Sequence, residues 1–400
     1  MSFMTKLTAL TDSTLHDEAK TPPQTHARTH TRNGNNKKNK KSDRKDCLNE
    51  WLIQDYVGEG AYGQVFQVTS KKPFLRDKSF VAKIEKTDGL SPPQLEFSQR
   101  VLHRVNRTRA LGFPHLIDTG TTDWCRYIVM PKLGKSMEEY LSEAEHNKLC
   151  LKDCLMIMDQ AVTRIETLHT IGFLHRDIKP GNMTMGPPDD PHRLFFIDFG
   201  MSAPWWVEKE FVQRVHDKRG RVKRFPALPL DEKNPMSSQK VYHYPNVRSG
   251  WNKGTPLFQS IAAHESNAVS RKDDMESLMY VLMHFMYGET PWAERAINDA
   301  ENGVETCRAM KRELMTGDDK ECHAFIRDWH KKCKRSHSVF FDDARAYNLV
   351  EHMWVAWVRH IRTLRFTDKP NYALLRTCIH KVRKKLGIAF DNQFTSMKIQ

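Results

Sequence analysis

Apolar positions along the chain change their spacing near Pro204, and that change outlines the fold. From Trp51 they alternate with polar positions and are punctuated by glycine: WLIQDYVGEGAYGQVFQVTS and then FVAKIEK predict a strand, a glycine turn, a second strand and a third. In SPPQLEFSQRVLHRV, Ser91 is placed as a cap and Pro92 falls at the first helical position, so a helix should follow. RYIVM (126–130) and LFFIDFG (194–200) read as further strands. Beyond Pro204 the helical spacing dominates, in MESLMYVLMHF, YNLVEHMWVAWVRHIRTL and YALLRTCIHKVRKKL. A strand-rich front and a helical back predict an α+β protein with two lobes and no internal repeat.

Composition narrows the setting. The chain has 400 residues, enough for one large domain or two ordinary ones without covalent staples. Its longest apolar-rich run, Met275 to Trp292, is broken by Glu276, His284 and Glu289, and falls short of the ~20 apolar residues that span a bilayer. The 8 cysteines are scattered, and the first twenty residues lack the apolar core of a signal peptide. Reduced thiols and a cytoplasmic location are therefore expected. A formal net charge of +14 favours anionic partners without choosing among them.

Much of that charge lies at the front. Residues 20–45 hold 9 Lys or Arg against one acid, Asp43, and almost nothing apolar. Such a segment cannot offset its ordering entropy, so residues 1–50 are expected to form a disordered basic tail. Its KKNKK run suits a nuclear-import signal, or an arm making weak contact with an anionic polymer; a merely solvated leader is the plain alternative.

The chemistry concentrates in a few places. GEGAYGQV (Gly58, Gly60, Gly63, Val65) would let backbone amides approach a phosphate chain, and strand patterns on both sides favour a hairpin lid over ATP rather than a Rossmann turn. Lys83, among apolar residues on the third strand, needs an anionic partner, unless it simply points outward. In HRDIKPGN (175–182), Asp177 can accept a hydroxyl proton and Lys179 can neutralise a phosphoryl group in transfer. Asn182 can hold Mg²⁺ through its amide oxygen, and Asp198 of IDFG adds a second hard oxygen ligand. HRD or DFG alone carries little; in this order and spacing, with the glycines and Lys83, they point to phosphoryl transfer.

On these residues the chain resembles the eukaryotic protein kinases. GTPLFQSIAAH (254–264), SRKDDMESLMYVL (270–282) and LRFTDKPNYALL (364–375) narrow the resemblance to the casein kinase 1 group, including its tau-tubulin kinase and nematode-type relatives. The likeness covers about residues 51–395 and implies a small lobe over about 51–130, a helical lobe over about 134–395 and a short tail at 396–400. It further implies ATP in the cleft with Met130 as gatekeeper and Pro131 to Leu133 as hinge, and Ser/Thr specificity signalled by Lys179. Asp274 would hold the HRD backbone, Thr255 would support the substrate side, and His175 and Phe199 would belong to a packed spine rather than do proton chemistry. Protein substrates with acidic or phosphorylated segments, and a monomeric enzyme, are the corresponding expectations.

Two departures stand out. Active kinases pair the strand lysine with a glutamate on the following helix, and this helix offers only Glu96. Leu102 lies one turn after Ser98, on the Leu95, Ser98, Leu102, Val105 face, so Ser98 falls in the glutamate's slot. Either Glu96 reaches Lys83 by a shift of the helix, which is the favoured expectation, or Lys83 lacks its ion pair and the protein is a weak enzyme or a pseudokinase scaffold. The second is the long segment from Asp198 to Thr255. There Lys218, Arg219, Arg221, Lys223 and Arg224, with Arg248 and Lys253, could form a patch for acidic or phosphorylated substrates, or be a solvated insert. Cys322, His323, His330 and Cys333 are poorly spaced for zinc and read as ordinary helix residues.

Overall fold

The computed structural model describes residues 47–60, 63–76, 78–87, 94–209, 212–216, 222–233, 239–247, 254–299, 301–335 and 344–397. The basic segment 20–45, Ser91, Pro92, Lys218, Arg219, Arg221, Arg248 and Lys253 lie outside the described residues.

The front of the chain is an antiparallel sheet. Its strands are β1 (Cys47–Leu48), β2 (Trp51–Gly60), β3 (Gly63–Ser70), β4 (Phe80–Lys86), β5 (Asp118–Thr121) and β6 (Cys125–Pro131), in the order β1-β2-β3-β4-β6-β5. Helix α1 (Gln94–Thr108) crosses between β4 and β5. Period-2 alternation decides what each face does. Phe80, Ala82 and Ile84 of β4 join Trp51, Val68, Tyr127 and Val129 in a core on one face. Lys83 and its cross-strand partner Ile128 take the other, where Ile128 packs with Leu95, Val101, Leu102 and Val105 of α1. Packing reaches back to β1, ahead of Trp51: Leu48 is fully buried and pairs with Trp51.

The second lobe is mainly helical. It contains α2 (Met137–Glu143), α3 (Leu151–Thr170), α4 (Ile261–His264), α5 (Arg271–Tyr287), α6 (Ala293–Asn298), α7 (Gly303–Thr316), α8 (Asp319–Arg335), α9 (Ala344–Thr363) and α10 (Tyr372–Leu386). Helix α5 is buried almost all round, which its run of Met, Leu, Tyr, Val and Phe dictates. Helix α3 packs on it, and α10 packs on α3. Cys322 and Cys333 are buried on α8, His330 stacks on Tyr347, and His323 bonds Glu351 of α9. None of the 8 cysteines is joined in a disulfide, and no described helix is long and apolar enough to cross a membrane.

The stretch after Pro204 is not only helical. The short strands β7 (Phe173–Leu174), β8 (Met183–Met185), β9 (Leu194–Phe196) and β10 (Ala203–Pro204) flank the loop 175–182. Beyond them come β11 (Trp206–Val207), β12 (Val212–His216), β13 (Val222–Pro226), β14 (Leu228–Lys233) and β15 (Lys240–His243). β11, β15 and β14 make a three-stranded sheet, and β12 pairs antiparallel with β13, which carries exposed Lys223 and Arg224. Dense charge hid the alternation of VQRVH and VKRFP from a reading based on apolar spacing.

The end of the chain is also part of the fold. Asp153, fully buried near the start of α3, accepts hydrogen bonds from the backbone N–H groups of Thr395 and Ser396 and from the Ser396 hydroxyl. Met397 is buried beyond them, so the packed domain runs through residue 397 and not 395. Asp153→Ala would leave these donors unpaired at the helix start. It should lower stability by about 2 kcal/mol in urea denaturation and expose Phe390 and Phe394 to chymotrypsin before the rest of the chain.

Candidate active site

The site grows from a loop whose backbone is fixed from behind. Asp274, on the first turn of α5, takes the backbone N–H of His175 on Oδ2 at 2.7 Å and that of Arg176 on Oδ1 at 2.9 Å. His169, at the end of α3, also reaches Asp274 Oδ2 at 2.9 Å and has Tyr372 Oη at 2.7 Å on its other nitrogen. Burial holds the His169 pKa below the usual histidine value despite the carboxylate, so the ring is neutral, donating to Asp274 and accepting from Tyr372. Burial alone would raise the Asp274 pKa, but the hydrogen bond from His169, with the backbone N–H groups, outweighs it and holds the carboxyl below its usual range. The carboxylate thus shapes a turn in which Arg176 has φ of 70°, a conformation uncommon outside glycine.

His175 is a packing residue. It is fully buried, bonds Ile197 O at 3.2 Å, receives the Asp177 N–H, and lies against Phe196 and Phe199. Burial lowers its pKa and keeps the ring neutral. Phe199 continues through Phe113 into the core that contains Leu102 of α1.

The loop presents its polar groups to one place. Asp177 Oδ2 takes Asn182 Nδ2 at 3.0 Å and lies 3.2 Å from Lys179 Nζ, while Oδ1 takes the Thr255 hydroxyl at 3.3 Å. Burial would lower the Lys179 pKa, yet Asp177, Asp198 and Glu138 outweigh it and raise the pKa above the usual lysine value. Backbone pairing of Ile197 N with Asn182 O at 3.0 Å brings the following strand end alongside. There Asp198 adopts a left-handed conformation, φ 59° and ψ 76°, and its Oδ1 accepts from Lys83 Nζ at 2.6 Å and from Gly200 N at 3.3 Å. Burial would raise the Asp198 pKa, but the Lys83 charge and hydrogen bond, then Gly200 and Lys179, hold it below the usual carboxylate range. Lys83 therefore ties the sheet to the helical lobe through Asp198.

The remaining candidates line the cleft side of the sheet. Gly58 pairs with Val65, Val65 with Lys83, and Lys83 with Ile128, so these residues form one row across four strands. Gly60 pairs with Gly63, and a Cβ at Gly63 would sit 2.4 Å from Ile84 O, which forbids any side chain there. Met130 lies opposite Val81 near the end of β6, and half-buried Leu133 follows in the connection to the second lobe.

The expected Lys83–Glu96 pair is not what the structure contains. Glu96 bonds Arg100 one turn on and is half exposed, while Ser98 lies on the buried face of α1 with Leu95, Val101, Leu102 and Val105. The cause is helical geometry: a residue two before Ser98 points about 200° away from it. The Ser98 hydroxyl is buried without a hydrogen-bond partner among the described residues. Glu85, next but one after Lys83 and on the same face of β4, is spent on the N–H of Gln94 at the start of α1.

Two groups escaped the sequence reading. Glu138, on the first turn of α2, places its carboxylate where a Cβ on Gly181 would be, 2.5 Å away. Burial raises its pKa, against the pull of Lys179. The SMEE capping box marked the helix start but not what the second residue would face. The other is Lys311, treated below.

These residues suit ATP with Mg²⁺. Asn182 spends its Nδ2 on Asp177 O and Oδ2, which leaves its amide oxygen as the acceptor. Asp198 keeps Oδ2 beyond the oxygen bound by Lys83. One carboxylate and one amide oxygen, with phosphate oxygens completing the shell, is a magnesium-type donor set. Among the described residues no three His, Cys, Asp or Glu side chains gather into a metal cage of their own.

Residues 51–219 match the family model of the protein kinase domain. The match takes in the glycine hairpin, Lys83, α1, the 175–182 loop and Asp198, and with the two-lobed fold it supports phosphoryl transfer by a kinase. The segments that narrow the resemblance to casein kinase 1 lie beyond it. Asp274→Ala would orphan two backbone N–H groups and the His169 donor, and should cost about 3 kcal/mol in chemical denaturation.

Proposed function

We propose that the chain is a protein serine/threonine kinase of the casein kinase 1 group, acting on acidic or phosphorylated protein segments in the cytoplasm, with nuclear entry through KKNKK. What supports this reading most is the convergence of Asp177, Lys179, Asn182 and Asp198 with Lys83 around one cleft. Asp177 orients the substrate hydroxyl and takes its proton as the oxygen–phosphorus bond forms and the bond to the departing ADP breaks. Lys179 and Lys83 steady the phosphate charge, and the glycine hairpin, Val65, Met130 and Leu133 bound the nucleotide. Mg²⁺, held by Asn182 and Asp198, would supply further neutralisation of the phosphates.

A second reading has one observation in its favour. With Ser98 in the glutamate's slot, the anionic group beside Lys83 is Asp198, a proposed metal ligand. A scaffold that binds nucleotide without efficient transfer would tolerate this arrangement.

Transfer of labelled phosphate from ATP to casein tests both. Asp177→Asn should reduce the wild-type signal by at least about 100-fold; equal signals from the two proteins would sink the kinase reading. Ser98→Glu offers Lys83 a partner that leaves Asp198 free, and should raise kcat several-fold. If kcat stays level or falls, the missing carboxylate is not what limits the enzyme.

A further inference from the structure

The segment from Thr255 to Ile261 borders the proposed catalytic base, since the Thr255 hydroxyl donates to Asp177 Oδ1. Its backbone is gripped from the helical lobe group by group. Trp292 Nε1 donates to Leu257 O at 2.9 Å, and Glu276 of α5 accepts the Ile261 N–H at 2.8 Å. Between them stands Lys311 of α7. Its ammonium, fully buried, donates to Pro256 O at 2.7 Å and Gln259 O at 2.7 Å, and lies 3.0 Å from His264 Nε2. The ring centroids of Tyr280 and Trp292 lie 4.9 Å and 5.0 Å away.

A buried lysine without a carboxylate in contact is a costly choice for a structural bolt. An ammonium has three donors; here it gives two of them to main-chain carbonyls of a single segment and lies beside His264 Nε2, which is itself 3.1 Å from Pro256 O. Resting on the kinase reading, we propose that Lys311 is a positioning residue which, in its charged form, holds segment 255–261 so that Thr255 and the substrate side of the cleft are set against Asp177.

Burial lowers the Lys311 pKa to about 7, so the group changes charge near neutral pH. The titratable and charged groups around it are Cys307 on α7, His264 with Arg308 acting on it, and Glu276, Tyr280 and Asp273 on α5. Burial pushes the Cys307 thiol up to about 11 and His264 down to about 2, so neither titrates between pH 6 and 9. Burial raises Glu276 to about 7, but its loss of a proton strengthens the bond from Ile261 N and so works in the opposite direction. Loss of the Lys311 proton removes the charge assistance from both carbonyl bonds and loosens the segment. Global stability moves the other way: with the folded pKa below the unfolded one, stability attributable to Lys311 rises between about pH 7 and the ordinary lysine pKa.

The test uses the full chain. In the wild type, amide exchange of residues 257–261 should speed up roughly fivefold from about pH 6.5 to 8.5, beyond the intrinsic pH effect seen in the other helices, and kcat for casein should fall by a similar factor. Lys311→Met should abolish this pH-dependent change and lower kcat about tenfold at pH 6.5, with binding of a fluorescent ATP analogue unchanged. A merely structural role would weaken nucleotide binding together with kcat. Unchanged exchange and unchanged kcat in Lys311→Met, or a wild-type segment insensitive to pH, would overturn the proposal. The wild-type exchange titration requires no variant and no turnover, so it still decides the point if Lys311→Met fails to fold or if the chain transfers no phosphate.

Discussion

One buried carboxylate, that of Asp274, sets the geometry on which the rest of the site depends. It satisfies two consecutive backbone N–H groups of the loop and orients His169, so α3, α5 and the loop meet at a single charged group. Charge-assisted bonds to main-chain donors are short and directional, and they hold a left-handed turn at Arg176 that local propensity would not choose. With that turn in place, His175 faces the core and Asp177 faces the cleft. Neither the acid nor its neighbours Lys179 and Asn182 would otherwise share one space.

The sheet joins this frame through a different bond. Lys83 reaches across to Asp198 because period-2 alternation puts it on the cleft face while Ala82 and Ile84 take the opposite one. Ser98 is too short to intervene. The lobe-to-lobe ion pair is therefore made with a residue that the proposed chemistry also needs for metal, and binding Mg²⁺ would compete with it. A helix glutamate would separate these two duties; its absence couples them.

Much of this was legible in the sequence because local signals and chemistry agreed. Alternation through FVAKIEK, the spacing of HRDIKPGN and IDFG, and the 3.6-residue periodicity of YNLVEHMWVAWVRHIRTL each have one satisfactory structural solution. What resisted reading depended on partners far away along the chain. Glu96 was the only acid in its helix, but rotation about the helix axis, not composition, decides which residue faces the sheet, and the apolar stripe ran through Ser98. The hairpin from Val212 to Pro226 hid behind its charges. Composition changes near residues 50 and 395, whereas burial of Leu48 and capture of Thr395 and Ser396 by Asp153 depend on partners that composition does not show.

Lys311 shows why such distant partners are needed. Residues 254–260 form neither helix nor strand, so their carbonyls and N–H groups must be satisfied from elsewhere. Residues 256–261 find those partners in Lys311, Trp292 and Glu276, from three different parts of the second lobe. A neutral amine could still donate to both carbonyls but without charge assistance, whereas an ammonium strengthens both bonds at the expense of a large desolvation penalty. The compromise is a cation that only just keeps its charge, and the precision of the cleft is tied to the proton it holds.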